Sequence, residues 1–92
     1  MLRIQDLLWD EWNEQHVARH NVEPEEVEEV AFQSSSRAVR LGRGRYRITG
    51  QTESGRYLTV FVDHMSSGVF YPVTARDCTD GEIWRLRRWR GD

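Results

Sequence analysis

The side chains best suited to chemistry in this 92-residue chain are its arginines. All thirteen basic residues are arginine, and none is lysine. A guanidinium group binds phosphate through two parallel hydrogen bonds and stacks on bases, so a nucleic-acid ligand is one interpretation of this composition. Genomic base composition or a hot habitat would produce the same bias. We prefer this second explanation, because lysine is absent from the whole chain.

The charge is divided unevenly along the chain. Residues 1–36 contain two arginines against nine acids, whereas residues 37–92 contain eleven arginines against six acids. The net charge of −2 therefore conceals an acidic N-terminal third and a basic remainder. The basic residues that we select from the second part are Arg45, Arg47, Arg56, Arg76, Arg87 and Arg88. The alternative for the first four is a solvated sheet surface, and for Arg87 and Arg88 it is a charge that complements the helix dipole.

His20 is the strongest candidate for acid–base chemistry, because imidazole takes up and releases protons nearest neutral pH. Its alternative role is to cap or pack the end of a helix. His16 precedes it by four residues and would lie on the same helix face, a spacing that can hold a metal. No glutamate lies between the two histidines and no third ligand is evident, so we predict neither a metal site nor a cofactor.

Three consecutive antiparallel strands should position four of the six selected arginines. Apolar and polar residues alternate in Arg45–Thr52, Arg56–Asp63 and Val69–Arg76, as in half-buried strands. The middle strand is apolar on both faces, so it should be central in the sheet. Pro72 cannot donate a ladder hydrogen bond, so the third strand should lie at an edge or contain a bulge there.

Two helices should precede these strands and one should follow them. Asp10 can cap the first helix, and Asn21 should end it because asparagine tolerates the left-handed conformation. Pro24 suits the first position of the second helix. Thr79 and Glu82 have the spacing of a capping box at the start of the third.

Two further segments are ambiguous. Met1–Leu8 is either a short first strand or the approach to a helix, and we favour the strand. Arg37–Leu41 is either a short strand or an irregular approach to the sheet. The prediction is one α+β domain over residues 1–92, with a short N-terminal strand, two helices, a three-stranded antiparallel meander and a C-terminal helix.

Other features limit the functional classes. Cys78 is the only cysteine, which excludes an internal disulfide and a cysteine-based zinc cluster. The N-terminus has no basic region followed by an apolar core, and no run approaches the roughly 18 apolar residues of a membrane span. We therefore expect a soluble, cytoplasmic protein that does not bind membranes. A domain this small is also compatible with a partner or with a homodimer.

The order of these elements and three segments resemble the BrnT family of toxins from bacterial type II toxin–antitoxin systems, whose fold is similar to that of RelE-like ribonucleases. The family has a Trp-Asp start that leads to a Lys-His-Gly-Val turn, an Arg-Tyr…Gly…Gly-Arg hairpin and a Ser-Ala-Arg sequence. The corresponding segments here are Leu8–Glu11 with Arg19–Val22, Arg45–Gly50 with Gly55–Leu58, and Thr74–Arg76.

The chain departs from the family at several positions. Arg19 and Asn21 replace the lysine and the glycine of the turn, and Cys78 stands where alanine is usual. Asp63 and His64 stand where an arginine often follows the second hairpin strand. His64 is therefore a candidate to replace a phosphate-contacting charge.

The resemblance implies a metal-independent endoribonuclease that inhibits translation by cleaving RNA through attack of a 2′-hydroxyl group. It also implies a cognate antitoxin, a small DNA-binding protein encoded next to the toxin. The candidate catalytic residues are His20, Arg45 and Arg76, and the candidate RNA-binding residues are Arg47, Arg56, His64, Arg87 and Arg88.

The main alternative to a ribonuclease is a module with the same fold that has lost nuclease activity and only binds an antitoxin or nucleic acid. Direct DNA binding is less favoured, because no helix-turn-helix pattern precedes a basic recognition helix.

Overall fold

The computed structural model describes residues 2–92, which form a five-stranded sheet with helices on both faces. The sheet order is β1-β5-β4-β3-β2, in which β2 to β5 form an antiparallel meander and β1 pairs in parallel with β5. In chain order the elements are β1 Asp6–Leu7, α1 Glu11–Ala18, α2 Pro24–Phe32, β2 Arg37–Gly42, β3 Arg45–Gln51, β4 Tyr57–Ser66, β5 Val69–Asp77 and α3 Asp80–Arg90.

The predicted α+β arrangement is confirmed, and the sheet is wider than the predicted three-stranded meander. The ambiguous segment Arg37–Leu41 belongs to β2, a full strand that pairs with β3. The favoured N-terminal strand is present as β1, although only two residues long. The sequence pattern could not settle β2 because none of its residues is buried and the strand has no clear apolar alternation.

The central position of β4 and the irregularity at Pro72 are both as predicted. β4 is the third of the five strands and pairs on both sides. β5 lies between β1 and β4, and its register with β4 shifts between the Phe61 to Thr74 pair and the Val62 to Pro72 pair. The extra residue in β5 forms a bulge that tolerates the missing N–H of proline.

The main core lies between one face of the sheet and the helices α1 and α2. Burying each aliphatic side chain of this core contributes roughly 1.5–3 kcal/mol to the free energy of unfolding. In α1 the buried residues are Asn13 and Val17, whereas Trp12 is exposed. Valines from the helical layer pack on aliphatic residues of β3 and β4. The valines are Val17, Val22, Val27 and Val30, and the strand residues are Ile48, Leu58, Val60 and Val62.

Local capping chemistry sets the ends of the helices. The Asp10 carboxylate accepts the Asn13 backbone N–H at 2.9 Å, and Asn21 has a positive φ of 57° just after α1. Thr79 and Glu82 form the predicted capping box at the start of α3. No helix of residues 2–92 has the length and apolar character needed to cross a membrane.

Candidate nucleic-acid interface

Arg56 joins the β3–β4 hairpin to the turn between the first two helices. Its guanidinium donates to the Asp77 carboxylate at 2.8 Å, to Glu26 at 3.0 Å and to the backbone carbonyls of Asn21 and His20 at 2.6 and 3.2 Å. The hydrogen bond to Asp77 is the main reason that the pKa of Arg56 is raised. Since most of its donors are occupied, Arg56 acts as a structural clamp in this structure.

Arg76 anchors the C-terminal helix to the sheet. Its two terminal nitrogens donate to the Glu82 carboxylate at 2.8 and 3.0 Å, and the Thr59 hydroxyl donates to the same carboxylate at 2.9 Å. Together these contacts, with the Arg76 hydrogen bond foremost, lower the pKa of Glu82 to about 2. The guanidinium carbon lies 5.7 Å from the centre of the Phe61 ring.

Arg45 and Arg47 lie on the same sheet face as Arg76. Arg45 forms a two-point ion pair with Asp63, at 2.7 and 2.9 Å, which lowers the pKa of that carboxylate. Arg47 is half-buried and has no carboxylate partner among residues 2–92. Three predicted arginines therefore lie on this face, and two of them are already paired.

His20 lies in the other layer of the molecule, where it is exposed at the end of α1. α1 and α2 pack on the sheet face opposite to the one that carries Arg45 and Arg76. Its ring centre is 6.3 Å from that of His16. Within the described chain, no three histidine, cysteine or acidic side chains are placed to hold a metal ion. The catalytic roles assigned to His20, Arg45 and Arg76 stay predictions.

Arg87 and Arg88 project from α3. Arg88 lies over the exposed Trp84 ring, with its guanidinium carbon 5.2 Å from the ring centre. Arg87 is 3.8 Å from the Asp92 carboxylate, a loose surface ion pair.

His64 lies at the opposite end of the sheet from His20, in a groove of about 620 Å³. Among residues 2–92, no aspartate or glutamate lines this groove. The centre of the His64 ring is 5.1 Å from that of the Phe70 ring. The Phe70 ring meets the Tyr46 ring edge to face, with 5.9 Å between their centres. We call it the His64 groove, and its lining residues are Leu2, Arg3, Arg40, Gly44, Tyr46, His64, Gly68 and Phe70.

Strand pairing explains why distant residues meet in the groove. Arg40 faces Tyr46 across β2 and β3, and His64 faces Phe70 across β4 and β5. The Gly44 carbonyl accepts the His64 backbone N–H at 2.8 Å, which holds the β2–β3 turn against β4.

The N-terminal segment completes the rim of the groove. Gln5 donates its backbone N–H to the Gly68 carbonyl at 2.8 Å, which holds the segment that carries Arg3 beside the β4–β5 turn. Gly68 has a positive φ of 72°, a conformation in the β4–β5 turn that favours glycine.

A second hollow of about 470 Å³ adjoins the groove and shares His64 with it. It is lined by Arg43, Arg45 and Asp63 among others. Arg43 has a positive φ of 54° in the β2–β3 turn. His64 therefore lies between two basic recesses, and the one carboxylate that lines the second is paired with Arg45.

Three arginines of this region are free of carboxylate partners in the part of the chain that the structure describes: Arg3, Arg40 and Arg43. Sequence reasoning did not select them as contacts, and it did not select Tyr46 either. The Gly42-Arg43-Gly44 sequence was one available signal, because glycines around an arginine present it at a turn. Arg3 and Arg40 had no local signal, since strand pairing alone brings them together.

No protein-family profile matches this sequence, and no curated protein matches it significantly. A crystal structure of the ribonuclease toxin BrnT from Brucella abortus superposes on it with a TM-score of 0.65 and 17% sequence identity. The match covers 82% of this chain and 97% of that one. The chain therefore has the fold of that toxin, as the resemblance predicted.

Proposed function

We propose that this protein is the toxin of a bacterial type II toxin–antitoxin system and that it cleaves single-stranded RNA without a metal in the His64 groove. The observation that carries the proposal is the groove itself, in which an imidazole and two unpaired guanidinium groups meet without a carboxylate in the lining. The fold shared with the ribonuclease toxin BrnT of Brucella abortus supports the same reaction class.

The reaction needs a base, a cation and an acid. His64 removes the proton from a ribose 2′-hydroxyl, whose oxygen then attacks the adjacent phosphorus. Arg3 and Arg40 neutralise the charge that develops on the phosphoryl oxygens. The bond to the 5′-oxygen breaks, and that oxygen takes a proton from the Tyr46 hydroxyl or from water. The products are a 2′,3′-cyclic phosphate and a 5′-hydroxyl end.

The arginines selected from sequence divide into two groups under this proposal. Arg45 lies in the hollow next to His64, where the guanidinium donors that its ion pair with Asp63 leaves free can contact a phosphate beside the scissile one. Arg56 and Arg76 act mainly on stability, because their donors are engaged by Asp77 and Glu82.

The deciding experiment measures cleavage of a labelled single-stranded RNA by the purified protein in EDTA. We expect cleavage that ends in a 2′,3′-cyclic phosphate, and we expect His64→Ala to lower the rate by about 100-fold or more. His20→Ala is the matched control, since both histidines are exposed, and it should leave the rate unchanged. Loss of cleavage in His20→Ala with full activity in His64→Ala would instead place the active centre at the end of α1.

A non-catalytic binding module is the second candidate function. It is favoured by one observation, namely that His64 occupies a position where the BrnT family often has an arginine. RNA binding without cleavage at any protein concentration would support it. Toxicity on expression, relieved by co-expression of a small DNA-binding protein encoded next to this one, would instead support the toxin.

A further inference from the structure

We propose that the outer edge of β2, together with α3, is a docking site for an extended acidic segment of a partner protein, which adds to the sheet as a sixth strand. This inference goes beyond the proposed function and does not depend on RNA cleavage.

The first argument is the unpaired strand edge. β2 is the last strand of the sheet and pairs with β3 along Arg37 to Arg40, while no other strand of residues 2–92 covers its outer side. In an antiparallel strand, alternate residues direct their N–H and C=O groups away from the paired neighbour. Such an edge is a template for another strand, and peptide-binding domains use it in this way.

The second argument is the cleft on one side of this edge. Its volume is about 320 Å³, and its lining contains three arginines and two indoles but no carboxylate. Both indoles are more than half exposed. Exposed tryptophan and arginine side chains are the residue types most enriched at interaction hot spots. We call it the α3 cleft, and its lining residues are Arg37, Trp84, Arg85, Arg88 and Trp89.

The third argument is an apolar hollow on the other side of β2. It has a volume of about 300 Å³ and is lined in part by Leu2, Ala38 and Trp89. Trp89 therefore borders both recesses. Successive side chains of an added strand point to opposite faces of a sheet. One set would meet the arginines of the α3 cleft, and the other would meet the apolar hollow, so the best fit is a strand in which acidic and small apolar residues alternate.

Single-stranded RNA could also use an arginine–tryptophan cleft, but two features favour a peptide. RNA has no backbone donors and acceptors in the register of a strand, so it would leave the β2 edge unpaired. One face of Trp84 is already covered by Arg88, which reduces the surface on which a base could stack.

The test uses a synthetic peptide in which glutamate and valine alternate. Two control peptides replace glutamate by lysine, or place proline at alternate positions so that no ladder can form. Binding is followed by hydrogen exchange of the β2 amides and by NMR shifts of the Trp84 and Trp89 indole N–H groups. We expect the acidic peptide to protect the outward amides of β2 and to shift both indoles, and we expect neither control to do so.

Charge reversal then locates the site. The double variant Arg37→Glu with Arg88→Glu should weaken the acidic peptide by about tenfold or more, because both cations line the α3 cleft. Arg19→Glu, an exposed arginine on the far layer, is the matched control and should bind as the unchanged protein does.

Several results would overturn the proposal. They are equal binding of the lysine peptide, binding that leaves the β2 amides unprotected, and no binding up to millimolar peptide. A labelled oligouridylate that shifts the indoles where the acidic peptide does not would instead assign the cleft to RNA. None of these measurements reads nuclease activity, so failure here leaves the His64 groove unaffected.

Discussion

Arg76 and Glu82 form a two-point ion pair, with nitrogen–oxygen distances of 2.8 and 3.0 Å, between β5 and the first turn of α3. Glu82 is 7% exposed, and it also accepts the Thr59 hydroxyl and the Thr79 backbone N–H. A single carboxylate thus caps α3, binds an arginine and contacts the central strand. The attachment of the helix to the sheet depends on its ionisation.

Acid should weaken the protein through Glu82. The pKa of Glu82 is lowered from 4.5 to about 2, chiefly by the hydrogen bond from Arg76. A carboxylate whose pKa is lower in the folded than in the unfolded protein stabilises the fold at pH values above its ordinary pKa. For Glu82 that contribution is lost as the pH falls from about 4.5 to about 2. We expect Glu82→Gln to lower the free energy of unfolding by about 1–3 kcal/mol at pH 7. The difference in unfolding free energy between the variant and the unchanged protein should shrink toward pH 2.

Urea unfolding across this pH range measures the effect. Glu25→Gln, at an exposed glutamate of α2, is the control and should show no such pH-dependent difference. A Glu82→Gln curve parallel to that of the unchanged protein at every pH would contradict the assignment.

Arg56→Ala should destabilise the fold by about 1–3 kcal/mol, because it removes charge-assisted hydrogen bonds to Asp77 and Glu26 and leaves two turn carbonyls without their donor. Arg56→Lys should recover only part of this loss, since an ammonium group cannot reproduce the planar fork. Thermal and urea unfolding measure both variants. Arg19→Ala is the exposed control and should stay within about 0.5 kcal/mol; an equal loss there would argue against a specific clamp.

Asn13→Ala should be among the most damaging single changes in α1. The Asn13 side chain is fully buried, donates to the Leu8 and Pro72 carbonyls at 2.9 and 3.0 Å, and accepts the Asp10 backbone N–H at 2.8 Å. Removing the amide leaves these groups unpaired and should lower the free energy of unfolding by about 2–4 kcal/mol. The free energy of unfolding in urea tests this, with the neighbouring exposed Glu14→Ala as control. A loss below that of the control would mean that water replaces the amide.

Two glycine substitutions should have opposite signs. A Cβ at Gly50 would lie 2.9 Å from Val30 and would also meet the Ser36 side chain, so Gly50→Ala should force α2 from the sheet and cost about 1–3 kcal/mol. A Cβ at Gly81 would meet only the flexible Arg85 side chain, at 3.4 Å, so Gly81→Ala should stabilise α3 by about 0.5–1 kcal/mol. Melting temperatures compare the pair, and a shift of the same sign in both would contradict the packing argument.

RNA affinity should fall with salt in proportion to the unpaired arginines of the groove region. Each phosphate contact with a single strand contributes a slope of about −0.7 in log affinity against log salt, so Arg3, Arg40 and Arg43 together predict about −2. Arg40→Ala should reduce the slope by one contact, and Arg19→Ala should not. Fluorescence anisotropy of a labelled RNA measures both, and a slope altered by Arg47→Ala but not by Arg40→Ala would place the RNA on the other sheet face.

The sequence by itself determined the elements whose causes are local. Pro24 at the first turn of α2, the left-handed Asn21 and the capping box of Thr79 and Glu82 all involve residues at most a few positions apart. The apolar alternation of β4 and the irregularity at Pro72 are likewise properties of a short segment. These features were predicted because the physical interaction and the pattern extend over the same few residues.

Only the tertiary structure decided which charges are free. Arg56 and Arg76 stand in patterns that favour phosphate contact, yet the fold brings Asp77 and Glu82 to them. Conversely, Arg3, Arg40 and His64 come from three distant segments and meet because β2, β4 and the N-terminal segment converge at one end of the sheet. An arginine binds a ligand through the donors that no carboxylate occupies. Which donors stay free is set by strand pairing and helix docking over long separations, and no local pattern encodes these.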